Sequence, residues 1–151
     1  ADFVKDLLEK LGEVVFWKIA MKPGRPLAYG RIGNAHFFGL PGNPVSVMVT
    51  FYQFVRDALL KLAGRDPLPP LPTFRVPCTS SLKKAPGRTE FQRGVLTQDA
   101  SGDWSVRVTG DQGSGILRSM SEANCFIILP EAQGNVTIGA LVEVQVMEGV
   151  V

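Results

Sequence analysis

Apolar residues along this chain recur first at helical spacing and later in short runs separated by turns. Phe3, Val4, Leu7, Leu8 and Leu11 lie three and four apart, which predicts an amphipathic helix with Gly12 as its C-cap. Residues 14–20 are apolar and β-branched and predict a buried strand. Residues 27–31 and 35–39 read as a hairpin around a Gly33-Asn34 turn. Met48, Phe51, Tyr52, Val55, Leu59 and Leu62 form the expected buried stripe of a second helix. Asn43 suits its N-cap, Pro44 its first position and Gly64 its end.

Beyond residue 64 the pattern changes. Residues 65–72 carry four prolines, which excludes helix and central strand and predicts a semi-rigid linker. Short strands are then expected at 74–76, 91–96, 104–108, 126–129 and 141–146. Turns separate them at Pro86-Gly87, Ser101-Gly102-Asp103, 110–115 and Gly134-Asn135. The predicted architecture is an α/β segment over 1–66, a Pro-rich linker over 67–72 and a small all-β barrel domain over 73–151.

Three Pro-Gly turns punctuate this pattern. Lys22-Pro23-Gly24-Arg25 and Leu40-Pro41-Gly42-Asn43 each read as a type II turn, with ends within about 7 Å. The first would bring Lys22 and Arg25 together on a stiff loop, a two-cation clamp for an anion, although an isolated turn of this kind also reads as solvated surface. The second opens a helix whose free N–H groups suit an anion, and ordinary helix entry accounts for Asn43 and Pro44 equally well. In the third, Ala85-Pro86-Gly87-Arg88, the flanking tract carries Lys83, Lys84 and Arg93. Alternation puts Phe91 and Arg93 on one strand face, and spacing alone favours a solvated surface for Arg93. Ser114, between glycines, offers a hydroxyl and an N–H to an anion, but the loop is no Walker motif. Asp2 reads as a helix N-cap or as an oxygen ligand for a divalent cation.

Composition narrows the function classes. The 151 residues have a net charge of +2, too little to argue for general nucleic-acid binding. No apolar run reaches the roughly 18 residues of a membrane span, and Lys5, Asp6, Glu9 and Lys10 interrupt the first apolar stretch, unlike a secretory leader. Cys78 and Cys125 form no CxxC, which predicts a reduced, cytoplasmic setting and leaves a single disulfide open. His36 is the sole histidine, so no zinc set or Ser-His-Asp triad is expected. The absence of an initiator Met, with a helix starting at residue 1, predicts a piece of a longer protein.

The run from Phe16 to Pro26, Leu40-Pro41-Gly42-Asn43-Pro44-Val45-Ser46 with Thr50-Phe51, Pro86-Gly87-Arg88 with Glu90-Phe91-Gln92-Arg93, Gln112-Gly113-Ser114, and Ala123-Asn124-Cys125 together resemble the molybdopterin molybdenumtransferase family, which includes the gephyrin E domain. The match runs in order over essentially the whole chain. The resemblance implies the C-terminal portion of an enzyme that inserts molybdate into adenylylated molybdopterin and releases AMP. It implies molybdate binding by Lys22, Arg25, Arg93 and Ser114, with Lys18 nearby. It implies a pocket shaped by Pro41, Gly42, Asn43, Pro44 and Ser46, and catalytic roles for Asp2 and Lys22. Asp2 would also hold Mg²⁺. The family's Ser-Gly-Gly-rich pterin loop would precede Asp2. Where many members carry Lys-Pro-Gly-Lys-Pro this chain has Arg25, which keeps the charge and adds a bidentate fork. The implied partners are a second copy in a homodimer and other molybdopterin-handling enzymes. A non-catalytic, gephyrin-like scaffold is the alternative from a different class, and a nucleic-acid-binding barrel is disfavoured for want of stacking aromatics.

Overall fold

The computed structural model describes residues 10, 12–110, 112 and 117–147. The predicted first helix, Asp2 and Ser114 lie outside the described residues. Strands β1 (Glu13–Lys18), β3 (Pro26–Ile32) and β4 (Ala35–Gly39) form an antiparallel sheet in the order β1-β3-β4. Gly33, at φ 59°, makes the predicted hairpin turn between β3 and β4. β1 is an edge strand and not the buried strand its composition predicted: Val15 is 51% exposed.

Helix α1 (Pro44–Thr50) continues through a π-helical segment (Phe51–Val55) into α2 (Arg56–Leu62). Asn43 Oδ1 accepts from the Val45 and Ser46 N–H groups, and Pro44 follows it, as predicted for the helix entry. Gly64 takes φ 86° just past the C-cap Ala63. The predicted buried stripe holds only in part. Tyr52 and Val55 are buried, whereas Met48, Leu59 and Leu62 are 39–51% exposed and the inward face uses Val45, Ser46, Val49 and Thr50. The wider π turn rotates the inward face partway along the helix, so no single 3.6-residue stripe runs its length.

The second sheet has the order β2-β6-β8-β9-β5, built from β2 (Met21–Lys22), β5 (Thr73–Pro77), β6 (Thr89–Gln98), β8 (Cys125–Leu129) and β9 (Leu141–Val146). Strand β7 (Trp104–Val108) pairs with β6, and helix α3 (Leu117–Glu122) precedes β8. The expected closed barrel is replaced by a mixed, β-rich sheet; an isolated bridge between Cys78 and Val106 brings the end of β5 to β7. One core, around Val76, Leu96, Val106, Ile127 and Val144, fills this sheet. A second joins Met21, Val49 and Tyr52 to Phe91 and Phe126, with Leu71 of the Pro-rich run packed against it. The two halves of the chain therefore share a sheet through β2 and a core through Phe126. Cys78 and Cys125 are both buried and free.

Candidate functional site: a basic trough between the two halves

Strand β2 lies parallel to the start of β6, with Met21 opposite Thr89 and Lys22 opposite Glu90. The Thr89 N–H donates to the Ala20 carbonyl at 3.0 Å and fixes this register. The pairing sets Lys22 Nζ 3.3 Å from Glu90 Oε1. Glu90 is buried, and its other oxygen accepts from Gln92 Nε2 at 3.3 Å. The Lys22 side chain stays half exposed, so the carboxylate orients it while leaving its face open.

Past Lys22 the chain turns through a cis Lys22–Pro23 peptide, with Gly24 at φ 96°. The positive φ was expected, and the cis bond replaces the all-trans type II turn. At Leu40-Pro41-Gly42-Asn43 the type II expectation also gives way, because Gly42 is not at positive φ. Gly24 is buried on helix α1: a Cβ there would stand 2.6 Å from Thr50 Oγ1 and 3.4 Å from the Ser46 carbonyl oxygen. Thr50 Oγ1 in turn donates to that carbonyl at 2.7 Å. Pro41, Gly42, Asn43, Pro44 and Ser46 thus start the helix that backs the turn. They line none of three concavities that described residues form nearby.

The largest of these concavities, about 540 Å³, is lined by Lys22, Pro23, Lys83, Glu90, Gln92, Arg93 and Gln112 among others. Arg93 is 1% exposed, which corrects the solvated surface that spacing favoured. Its Nε donates to the buried Ser119 Oγ at 3.0 Å. Gln112 grips the Arg93 backbone from both sides: Oε1 accepts from its N–H at 2.7 Å, and Nε2 donates to its carbonyl at 3.3 Å. Thr109 Oγ1 donates to the same carbonyl at 3.1 Å. Arg93 is therefore held in place by contacts within the protein itself.

Lys22, Lys83 and Glu90 also line a second concavity with Lys84 and Arg88. Pro86 and Arg88 continue into a third, lined by Lys18, Ile19, Ala20, Arg25 and Gly87. The three form one trough. Lys84 in it is structural: it is buried, and its Nζ donates to the carbonyls of Ala85, Glu131 and Gln133 at 3.1, 3.4 and 3.0 Å. Arg25 and Lys22 line different concavities, so the simple two-cation clamp read from the turn is replaced by two neighbouring positive sites. Sequence reasoning gave no role to Ser119, Lys83 or Glu90. Glu90 is invisible as a partner of Lys22 until the parallel β2–β6 register is known, and Ser119 has no motif of its own.

Among the described residues no group of three or more His, Cys, Asp or Glu could hold a metal ion. His36 sits in the hairpin against Tyr29, its Nδ1 2.9 Å from the hydroxyl, away from the trough linings.

The mixed sheet and the turns that lead into it bring Lys18, Lys22, Arg25, Arg88 and Arg93 into the linings of linked concavities, a basic lining of a kind that suits small anions. Comparison with known proteins narrows this class. Residues 75–147 match the family model described as "MoeA C-terminal region (domain IV)", and residues 1–61 match "Probable molybdopterin binding domain". The chain is 48% identical over 145 residues to the molybdopterin molybdenumtransferase of Haemophilus influenzae, covering 96% of this chain and 36% of that protein. It is 35% identical to gephyrin of Dictyostelium discoideum, covering 94% and 23%. A solved molybdopterin biosynthesis MoeA protein from Pyrococcus horikoshii superposes with a TM-score of 0.79 at 30% identity, covering 99% of this chain and 36% of that one. The chain belongs to the molybdopterin molybdenumtransferase family. It spans about a third of the length of the transferase relatives it matches.

Proposed function

We propose that this chain forms the molybdate-receiving part of a molybdopterin molybdenumtransferase, which inserts molybdate into adenylylated molybdopterin and releases AMP. The observation that carries the reading is the joining of Lys22 and the buried Arg93 in one concavity. Molybdate is a tetrahedral dianion. Placing it beside a dithiolene and a phosphoanhydride requires fixed positive charge and donors, and no nucleophilic side chain. Arg93, held by Ser119 and Gln112, supplies a rigid donor. Lys22, oriented by Glu90, supplies a mobile cation that swings between the carboxylate and the oxyanion. Ser114, from outside the described residues, completes the expected anion set, while Arg25 and Lys18, also expected in it, line a separate concavity.

The family's Mg²⁺ is assigned no step. The described residues offer no ligand cluster for it, and Asp2, its expected ligand, lies outside them. A homodimeric, cytoplasmic parent working with other molybdopterin-handling enzymes is consistent with this role. Among the described residues no helix is long and apolar enough to cross a membrane. The Lys- and Arg-lined trough supports small-anion handling over the scaffold reading.

The test is molybdate affinity of the full-length protein. Lys22→Ala and Arg93→Ala should each weaken it about 10- to 100-fold, the loss expected for one charge-assisted contact. Circular dichroism should show the Lys22→Ala fold intact. Unchanged affinity in both variants would sink the assignment.

A further inference from the structure

We propose that Glu90 is a built-in competitor for Lys22: it holds the cation while the hollow is empty, lowers the affinity for an oxyanion, and takes the cation back when the anion is passed on. The proposal rests on the molybdate-transfer reading above and adds to it how the bound anion is released.

The carboxylate is the fixed partner of the pair. Glu90 is buried on β6, between Lys22 of β2 and Leu129 of β8 in the register. Its Oε2 accepts from Gln92 Nε2 at 3.3 Å, and the same Nε2 donates to the Lys83 carbonyl at 3.1 Å. Gln92 is itself buried, so the carboxylate is braced from within the sheet. Lys22 is the movable partner. Its side chain is half exposed. Its ammonium stands 3.3 Å from Glu90 Oε1, longer than the about 2.7–2.9 Å of a strong charge-assisted hydrogen bond. A contact this long, on a flexible four-carbon stem, opens easily.

Placement gives this contact its consequence. Lys22, Lys83 and Glu90 line both the Arg93 concavity and the neighbouring one that contains Arg88. Among the described residues that line these two hollows, Glu90 alone is acidic. An oxyanion seated against Arg93 must draw Lys22 away from Glu90 or sit beside a carboxylate. Either way the negative charge of Glu90 subtracts from the affinity. A site built only for retention has no use for a carboxylate there. A site that hands its anion to a second reactant does, because tight binding of the anion before transfer slows the transfer itself. A waiting partner for Lys22 lowers the cost of letting the anion go. Were Glu90 merely a strut between β2 and β6, its loss would loosen the hollow and weaken the anion. The two roles therefore predict opposite signs.

The experiment is calorimetric titration of the full-length protein with molybdate in the wild type, Glu90→Gln, Lys22→Ala and the double variant, together with the molybdate dependence of transfer. Glu90→Gln keeps the shape of the side chain and an acceptor for Gln92. It should bind molybdate about three- to tenfold tighter, and its KM and kcat should fall together. In the Lys22→Ala background the same substitution should tighten binding by about twofold or less. Unchanged or weaker binding in Glu90→Gln overturns the proposal. So does a full gain without Lys22, which would mean plain repulsion, and so does a lower kcat at unchanged KM. A crystal structure of the wild type with molybdate tests the exchange without any substitution. Lys22 Nζ should leave Glu90 for a molybdate oxygen, and an unbroken contact would refute the exchange. Wild-type protein that binds no molybdate defeats the molybdate-transfer reading. Binding that Lys22→Ala weakens but Glu90→Gln does not tighten defeats the competitor role alone.

Discussion

Arg93 shows how a single side chain gains its role from its neighbours. A guanidinium at 1% exposure is costly to bury unless it is hydrogen-bonded, and Ser119 accepts from its Nε. Ser119→Ala should therefore raise the molybdate KM of the full-length enzyme about tenfold, with a smaller change in kcat, because it loosens the binding cation. Ser119→Thr should restore part of the loss, and equal effects of both substitutions on KM and kcat would deny the positioning role. Burial acts differently on Cys125, whose thiol is pushed up to about 12 by desolvation. The folded state holds this proton more tightly than the unfolded one. The resulting stability is present below the ordinary thiol range near 9.0 and is lost as pH rises toward about 12. Native protein should resist thiol alkylation at pH 8 at this position and react there in denaturant, as peptide mapping would show.

At the scale of elements, the decisive contact is between the Lys22–Arg25 turn and helix α1. Gly24 combines positive φ with a close approach to Thr50 Oγ1. Gly24→Ala should destabilise the protein by about 1–3 kcal/mol, from backbone strain and overpacking together. Chemical denaturation would measure this, and molybdate affinity should fall with it because Lys22 rides on the same turn. The element boundaries themselves were largely legible. Short runs between turn signals marked β7 and β9, and Asn43-Pro44 marked the start of α1, because turn and cap chemistry are local. The helix stripe was misread at Met48, Leu59 and Leu62 because a π segment leaves no compositional mark.

Across the whole molecule, the Pro-rich run at 67–72 separates two textures of sequence but does not separate two cores. Phe126 meets Tyr52 and Phe91 edge-on, with ring centroids 5.8 and 6.4 Å apart. Phe126→Ala should cost about 3–5 kcal/mol. Trp17 lies on β1 and Trp104 on β7, so single-tryptophan variants report the two halves separately. Their urea midpoints should coincide in the wild type and shift together in Phe126→Ala. Two separate transitions would show that the shared core does not couple the halves.

The sequence by itself determined the local chemistry: the hairpin turn at Gly33, the cap at Asn43, the β-rich second half, and the basic residues ordered as in the molybdopterin molybdenumtransferase family. These depend on steric preference and short spacing, which neighbouring residues set. Only the tertiary structure decided that Lys22 faces Glu90, that Arg93 is buried on Ser119, and that Arg25 joins Lys18 and Arg88 in a separate hollow. Each of these depends on the parallel β2–β6 register or on packing across the proline run. Such long-range pairings are chosen by the burial of two cores at once, and no local pattern encodes them.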